Sequence, residues 1–306
     1  MGRSALSGGG SGSDDGEHMG RHVVGLEHRG RAMHEIVVPL DGSGLAERAA
    51  LVAGGIADET GASVRLVRVA TAPGSDAALA HLRSVANTLL DGVDVAVEVI
   101  EAPSEAIVAD SLLEALGDDR PDLLLCMSTH GRSGLGSVLL GSTAEAILHR
   151  RRQPSLLVGR RCAFPWPDRR RGLLLPIDGV HLDDRIVEAL PEVVGSSRLD
   201  PILLKVTHSF DVEGAHHPMT GLDEAADRLA GMGIEAKRVH RFASNLPVAI
   251  AEVVDEHVVA LMAMTTYVHP GAQRALLGST TMRAVRQVTC PALVFPTDTP
   301  DPSEVP

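Results

Sequence analysis

From Glu35 onward the apolar positions fall into short runs, separated by polar or helix-period stretches. Ile36-Val37-Val38-Pro39-Leu40 is such a run and predicts a buried strand. Asp41-Gly42-Ser43 follows as a turn, and a helical stretch then reaches about Thr60. Ser63 to Val69 reads as the next strand, residues near 77–90 as a helix, and Val93 to Ile100 as a third strand. A helix over 104–117 is expected to open at Ser104, with Glu105 in its first turn. Leu123 to Met127 is a fully apolar fourth strand, a helix follows from about 142 to 152, and Pro154 precedes a fifth strand from Ser155 to Val158. Strands alternating with helices predict a parallel sheet covered on both faces.

The second half repeats this order. Asp41 and Asp178, Gly141 and Gly278, and Pro154 and Pro291 are each separated by 137 residues, and the segments around each pair match. One offset held over three landmarks indicates a duplication. The expected organisation is a disordered tail over 1–33, a first domain over 34–160, a linker over 161–171, a second domain over 172–297, and a short tail over 298–306. The first tail is rich in Gly and Ser and cannot bury enough apolar surface to offset its ordering entropy.

Composition narrows the function classes. The chain has 306 residues and a formal net charge of −12, which argues against a nucleic-acid-coating protein. Aromatics are 2% of the residues, so base stacking is poorly supplied. The lysines are Lys205 and Lys237, and no Gly-Lys-[Ser/Thr] tripeptide exists, which excludes a P-loop NTPase. Cys126, Cys162 and Cys290 are scattered, fitting a reducing cytoplasm. The longest apolar run, Val258 to Met264, is far short of the ~20 residues of a membrane span. Neither nucleic acid nor membrane is expected as a partner.

The chemistry concentrates after the fourth strand. Met127-Ser128-Thr129-His130-Gly131-Arg132-Ser133-Gly134-Leu135-Gly136 leads to Gly141-Ser142-Thr143, where a helix begins. Glycines let backbone N–H groups approach a phosphate, and a helix N-terminus adds partial positive charge. Asp41, just after the first strand, lies at the same carboxyl edge, where ligands of open parallel sheets bind. Its carboxylate suits a ribose hydroxyl or an adenine amine. Asp41 has a plainer role open to it as a helix N-cap. The arginines at 150–152, 160–161 and 169–171 read as helix-end and linker cations, or as a surface for an acidic partner or the acidic remainder of the chain.

This string resembles the universal stress protein family in its tandem form, over about 34–297. The family's pattern is Gly-x2-Gly-x9-Gly-[Ser/Thr]; here Gly131 and Gly141-Ser142 match, while Ser128 stands at the first glycine. The resemblance implies a Rossmann-like fold of the adenine nucleotide alpha hydrolase kind, strand order 3-2-1-4-5, with the fifth strands pairing between domains. It implies that Pro39, Leu40 and Asp41 sit at the adenosine, Val69 lines the adenine pocket, Met127 and Ser128 flank adenine and ribose, and Gly131, Gly141, Ser142 and Thr143 hold phosphates. His130 is a structural residue or a modest phosphate-side donor.

In the second copy Val268 replaces Gly131 and Tyr267 replaces His130. Asp178, Gly278, Ser279 and Thr280 survive as a weaker set. The expected function is that of a cytoplasmic ATP-binding stress sensor or regulator, with Mg²⁺ or Mn²⁺ on the nucleotide, a homodimer through paired domains, and a regulatory protein partner. The alternatives are an interaction module without nucleotide and a weak ATPase. No catalytic residue and no metal ligand set is assigned. A metal site at His216-His217 is disfavoured, because no other ligands cluster there.

Overall fold

A computed structural model describes residues 34–71, 74–104, 107–117, 119–120, 122–129, 141–163, 166, 171–177, 182–197, 199–208, 219–268 and 279–298. The N-terminal tail, His130, Gly131, the rest of the glycine-rich loop, Asp178, His216-His217 and Gly278 lie outside the described residues.

The first repeat runs β1 (Glu35–Pro39), α1 (Gly44–Thr60), β2 (Ser63–Ala70), α2 (Ser75–Leu89), β3 (Val95–Glu101), α3 (Val108–Leu116), β4 (Leu123–Ser128), α4 (Ser142–Arg150) and β5 (Ser155–Val158). The second runs β6 (Gly172–Pro176), α5 (Asp184–Ser197), β7 (Asp200–His208), α6 (Thr220–Gly231), β8 (Lys237–Ala243), α7 (Leu246–Glu256), β9 (Val259–Val268), α8 (Ser279–Gln287) and β10 (Ala292–Asp298). Each repeat has the expected strand order, and the two join into one ten-stranded sheet, β3-β2-β1-β4-β5-β10-β9-β6-β7-β8.

The junction is the antiparallel pair β5–β10, with Leu156 opposite Leu293; pairs within each repeat are parallel. Two otherwise open edges are thereby closed against each other. The free edges, β3 and β8, carry charge instead, with Glu98 and Glu101 on one and Lys237, Arg238 and Arg241 on the other.

Alternation along the strands builds two cores, one per sheet face. Ile36, Val38, Leu173 and Leu175 belong to one; Val37, Leu125, Leu157 and Leu174 belong to the other. Both run through both repeats. Buried leucine and valine supply most of the stabilisation, about 1.5–3 kcal/mol per side chain. Cys126 is fully buried in β4, and burial pushes its thiol well above the usual range, so it stays an inert core residue.

One local expectation changes. The helix expected to open at Ser104 starts at Val108: the Ser104 carbonyl accepts the Ile107 N–H, and α3 has no side-chain cap. Of the readings open to the arginines 150–152, the acidic remainder of the chain is the one their contacts show. Arg151 is buried, donates to the Gly117 carbonyl at 2.9 Å and pairs with Asp119 at 3.2 Å. Arg150 pairs with Asp110, and the Arg152 N–H donates to Asp119. These cations close the end of α3 and are matched by the chain's own carboxylates. The linker is also anchored: Trp166 is buried.

Candidate functional site

Parallel order brings the carboxyl ends of β1, β2 and β4 to one edge, and helix termini crown it. A cavity of about 510 Å³ opens there. Nine of the residues singled out in the first repeat line it: Pro39, Leu40 and Asp41 from the end of β1, Val69 from β2, Met127 and Ser128 from β4, and Gly141, Ser142 and Thr143 at the start of α4. Residues distant by up to about a hundred positions converge because β1 lies between β2 and β4.

Asp41 is not the cap of α1. Ser43 takes that role, its hydroxyl accepting the Ala46 N–H at 3.2 Å, while Asp41 Oδ1 accepts the Ser43 N–H at 2.9 Å. The carboxylate is thus held in a tight turn at the cavity wall. Gly42 makes this turn possible, with φ of +84°.

At the other side, Gly141 is the N-cap residue of α4 and brings no side-chain cap, so the first amides of the helix keep their donor capacity. The Gly141 N–H donates to the Thr129 carbonyl at 2.9 Å, and the Thr129 N–H to the Val158 carbonyl at 3.1 Å. These bonds fix where α4 starts relative to β4. With φ of −58°, Gly141 has backbone that any residue could adopt.

The cavity combines an apolar wall (Leu40, Val69, Met127), an anionic acceptor and a helix N-terminus with hydroxyls. Such a set suits a ligand with a flat apolar part, hydroxyls and an anionic tail. Sequence reading missed several lining residues, among them Arg68, Thr71 and Ser104. Arg68 had a signal: it is a charge inside an otherwise apolar stretch of β2, with Lys205 at the same offset of 137 in β7.

The second repeat differs at the matching edge. β4 ends at Ser128, but β9 continues through Val268, and β5 ends at Val158, but β10 continues through Asp298. Under the offset, β9 and β10 each run three residues further at the carboxyl end, and Val268 pairs with Asp298. The position of Gly131 is occupied there by ladder. β-branched Thr265, Thr266 and Val268 favour that extension. Thr280 lies in the first turn of α8, as Thr143 does in α4. Among the described residues, no group of three or more His, Cys, Asp or Glu could hold a metal, and no helix is long and apolar enough to cross a membrane.

The chain matches the universal stress protein family twice, over residues 33–159 and 171–296. No curated protein matches it. Solved structures share the fold. A universal stress protein from Archaeoglobus fulgidus is 17% identical, with 88% of this chain and 99% of that one covered and a TM-score of 0.59. A protein of unknown function from Pseudomonas aeruginosa PAO1 is 18% identical (87% and 93% covered, TM-score 0.58). A universal stress protein assigned from Pseudomonas aeruginosa UCBPP-PA14 is 19% identical (87% and 94% covered, TM-score 0.57).

Proposed function

The chain belongs to the universal stress protein family, with two tandem copies of its domain, and from that premise we propose that the first copy binds an adenine nucleotide, ATP with Mg²⁺ or Mn²⁺ on its phosphates. Occupancy alters the surface offered to a regulatory protein partner, as part of a stress response in the cytoplasm. The cavity at the ends of β1, β2 and β4 is the observation that carries this reading. Leu40, Val69 and Met127 suit the base, the Asp41 carboxylate suits ribose hydroxyls, and Ser142, Thr143 and the uncapped start of α4 suit phosphates. His130 and Gly131 join the phosphate side through the sequence pattern. The metal is held chiefly by the nucleotide.

The second copy acts as the structural partner. Its extended β9 and β10 support a loss of the anion cradle, leaving Asp178, Gly278, Ser279 and Thr280 as a weak remnant. Both fifth strands are used within the chain, so a dimer of whole chains uses another surface. No side chain is given a catalytic role.

Mass spectrometry of small molecules released on denaturing the purified chain tests the reading. Adenine nucleotide released in near-stoichiometric amount supports it. No released nucleotide, together with no heat on ATP titration, overturns it in favour of an interaction module.

A further inference from the structure

Arg68 precedes Val69 in β2, yet its guanidinium does not stay above that strand. It leans over the turn between β1 and α1, where a Cβ added to Gly42 would stand 3.3 Å from both Nη1 and Nη2. The side chain is half-buried and lines the same cavity as Asp41, Ser142 and Thr143. Among the described residues it makes no hydrogen bond or ion pair. Its neighbours differ: Arg65 pairs with Glu35 and Glu98, and Arg48 donates to the Arg160 carbonyl. Even Asp41, next to Gly42, accepts the Ser43 N–H at its Oδ1.

A partly desolvated guanidinium with open donors is stabilised when an anion completes them, and its planar fork fits phosphate oxygens. The position suits such an anion. The guanidinium leans over the turn that follows β1, and β1 lies beside β4, the strand that leads to α4. Gly42 leaves the space for it, since a side chain there would press on the guanidinium. The glycine-rich stretch between β4 and α4 contains no lysine, and its one arginine, Arg132, lies outside the described residues. The position is cationic in both copies: Lys205 pairs with His240 of β8 in the register in which Arg68 pairs with Val99 of β3.

We propose that Arg68 is a phosphate-binding residue of the cavity, gripping the nucleotide's phosphates from the side opposite the α4 N-terminus. This rests on the nucleotide reading of the cavity. Calorimetric titration of the full chain tests it, using wild type, Arg68→Gln and Arg68→Lys against ATP, adenosine and inorganic tripolyphosphate. Arg68→Gln should bind ATP about tenfold more weakly and adenosine as wild type does. Arg68→Lys, which keeps the charge without the fork, should fall between the two. If the glutamine variant does not fold, an ATP-only weakening in the lysine variant carries the same conclusion. Equal losses for ATP and adenosine, or no loss for ATP, would overturn the proposal. Wild type that binds tripolyphosphate in an Arg68-dependent way, but neither ATP nor adenosine, would refute the nucleotide and leave the phosphate role standing. No binding of any of the three overturns both.

Discussion

The indole N–H of Trp166 donates to the carbonyl of Ala260 at 2.5 Å, tying the segment between the two repeats to β9. On its other side Trp166 packs against α1 so closely that a Cβ on Gly55 would collide with the Trp166 carbonyl oxygen. One residue therefore touches both repeats, and Gly55 is what lets it approach.

Trp166→Ala should destabilise the chain by about 3–5 kcal/mol, the cost of a large core truncation. Denaturant unfolding followed by far-UV circular dichroism measures this. Because Trp166 is the chain's one tryptophan, its emission in the wild type should shift to the red in the same transition. An exposed-tryptophan spectrum in the native protein would contradict the packing.

Gly141→Val should fold normally, since the backbone at that position has φ of −58°. The branched side chain would then narrow the cavity that Gly141 lines, on the side proposed for the phosphates. A loss of ATP affinity of at least tenfold, about 1.4 kcal/mol, is expected by calorimetry. Unchanged affinity in the folded variant would remove α4 from the site.

Nucleotide stoichiometry should be one per chain. Gly131→Val should abolish binding, because Gly131 stands in the Gly-x9-Gly-[Ser/Thr] pattern and a β-branched side chain there would keep a phosphate from the close backbone approach that glycine allows. Val268→Gly should leave the first site intact. Binding that survives Gly131→Val but fails in Val268→Gly would move the nucleotide to the other half.

Val258 has φ of +51° and is exposed, an unfavourable combination for a β-branched residue just before β9. Val258→Gly should raise stability by about 1 kcal/mol, seen as a higher midpoint in thermal or denaturant melts. A lower midpoint would mean that the valine side chain gains more from its surroundings than the backbone loses.

Much of the fold was legible because strands buried on both faces, such as Leu123 to Met127, leave unbroken apolar runs. The duplication also repeats each landmark at one offset. The β5–β10 pairing followed from family resemblance and from the need to cover two open edges. What periodicity could not show was the direction in which individual side chains leave their strands. Arg68 reads as a surface charge until its guanidinium is seen over Gly42, and Trp166 reads as linker until its partners in α1 and β9 are known. The extension of β9 was likewise hidden, because Tyr267 and Val268 were compared with a loop rather than with a strand.

The β5–β10 contact also sets the molecularity of the assembly. Had the two sheets been separate polypeptides, their union would be second order and would loosen on dilution. Tethered by a short connection, each edge meets the other at an effective concentration in the millimolar range. The continuous sheet therefore persists at any protein abundance, from a few copies per cell upward. A chain of this design can be present at trace level and still be fully assembled, with no second copy needed to complete the sheet.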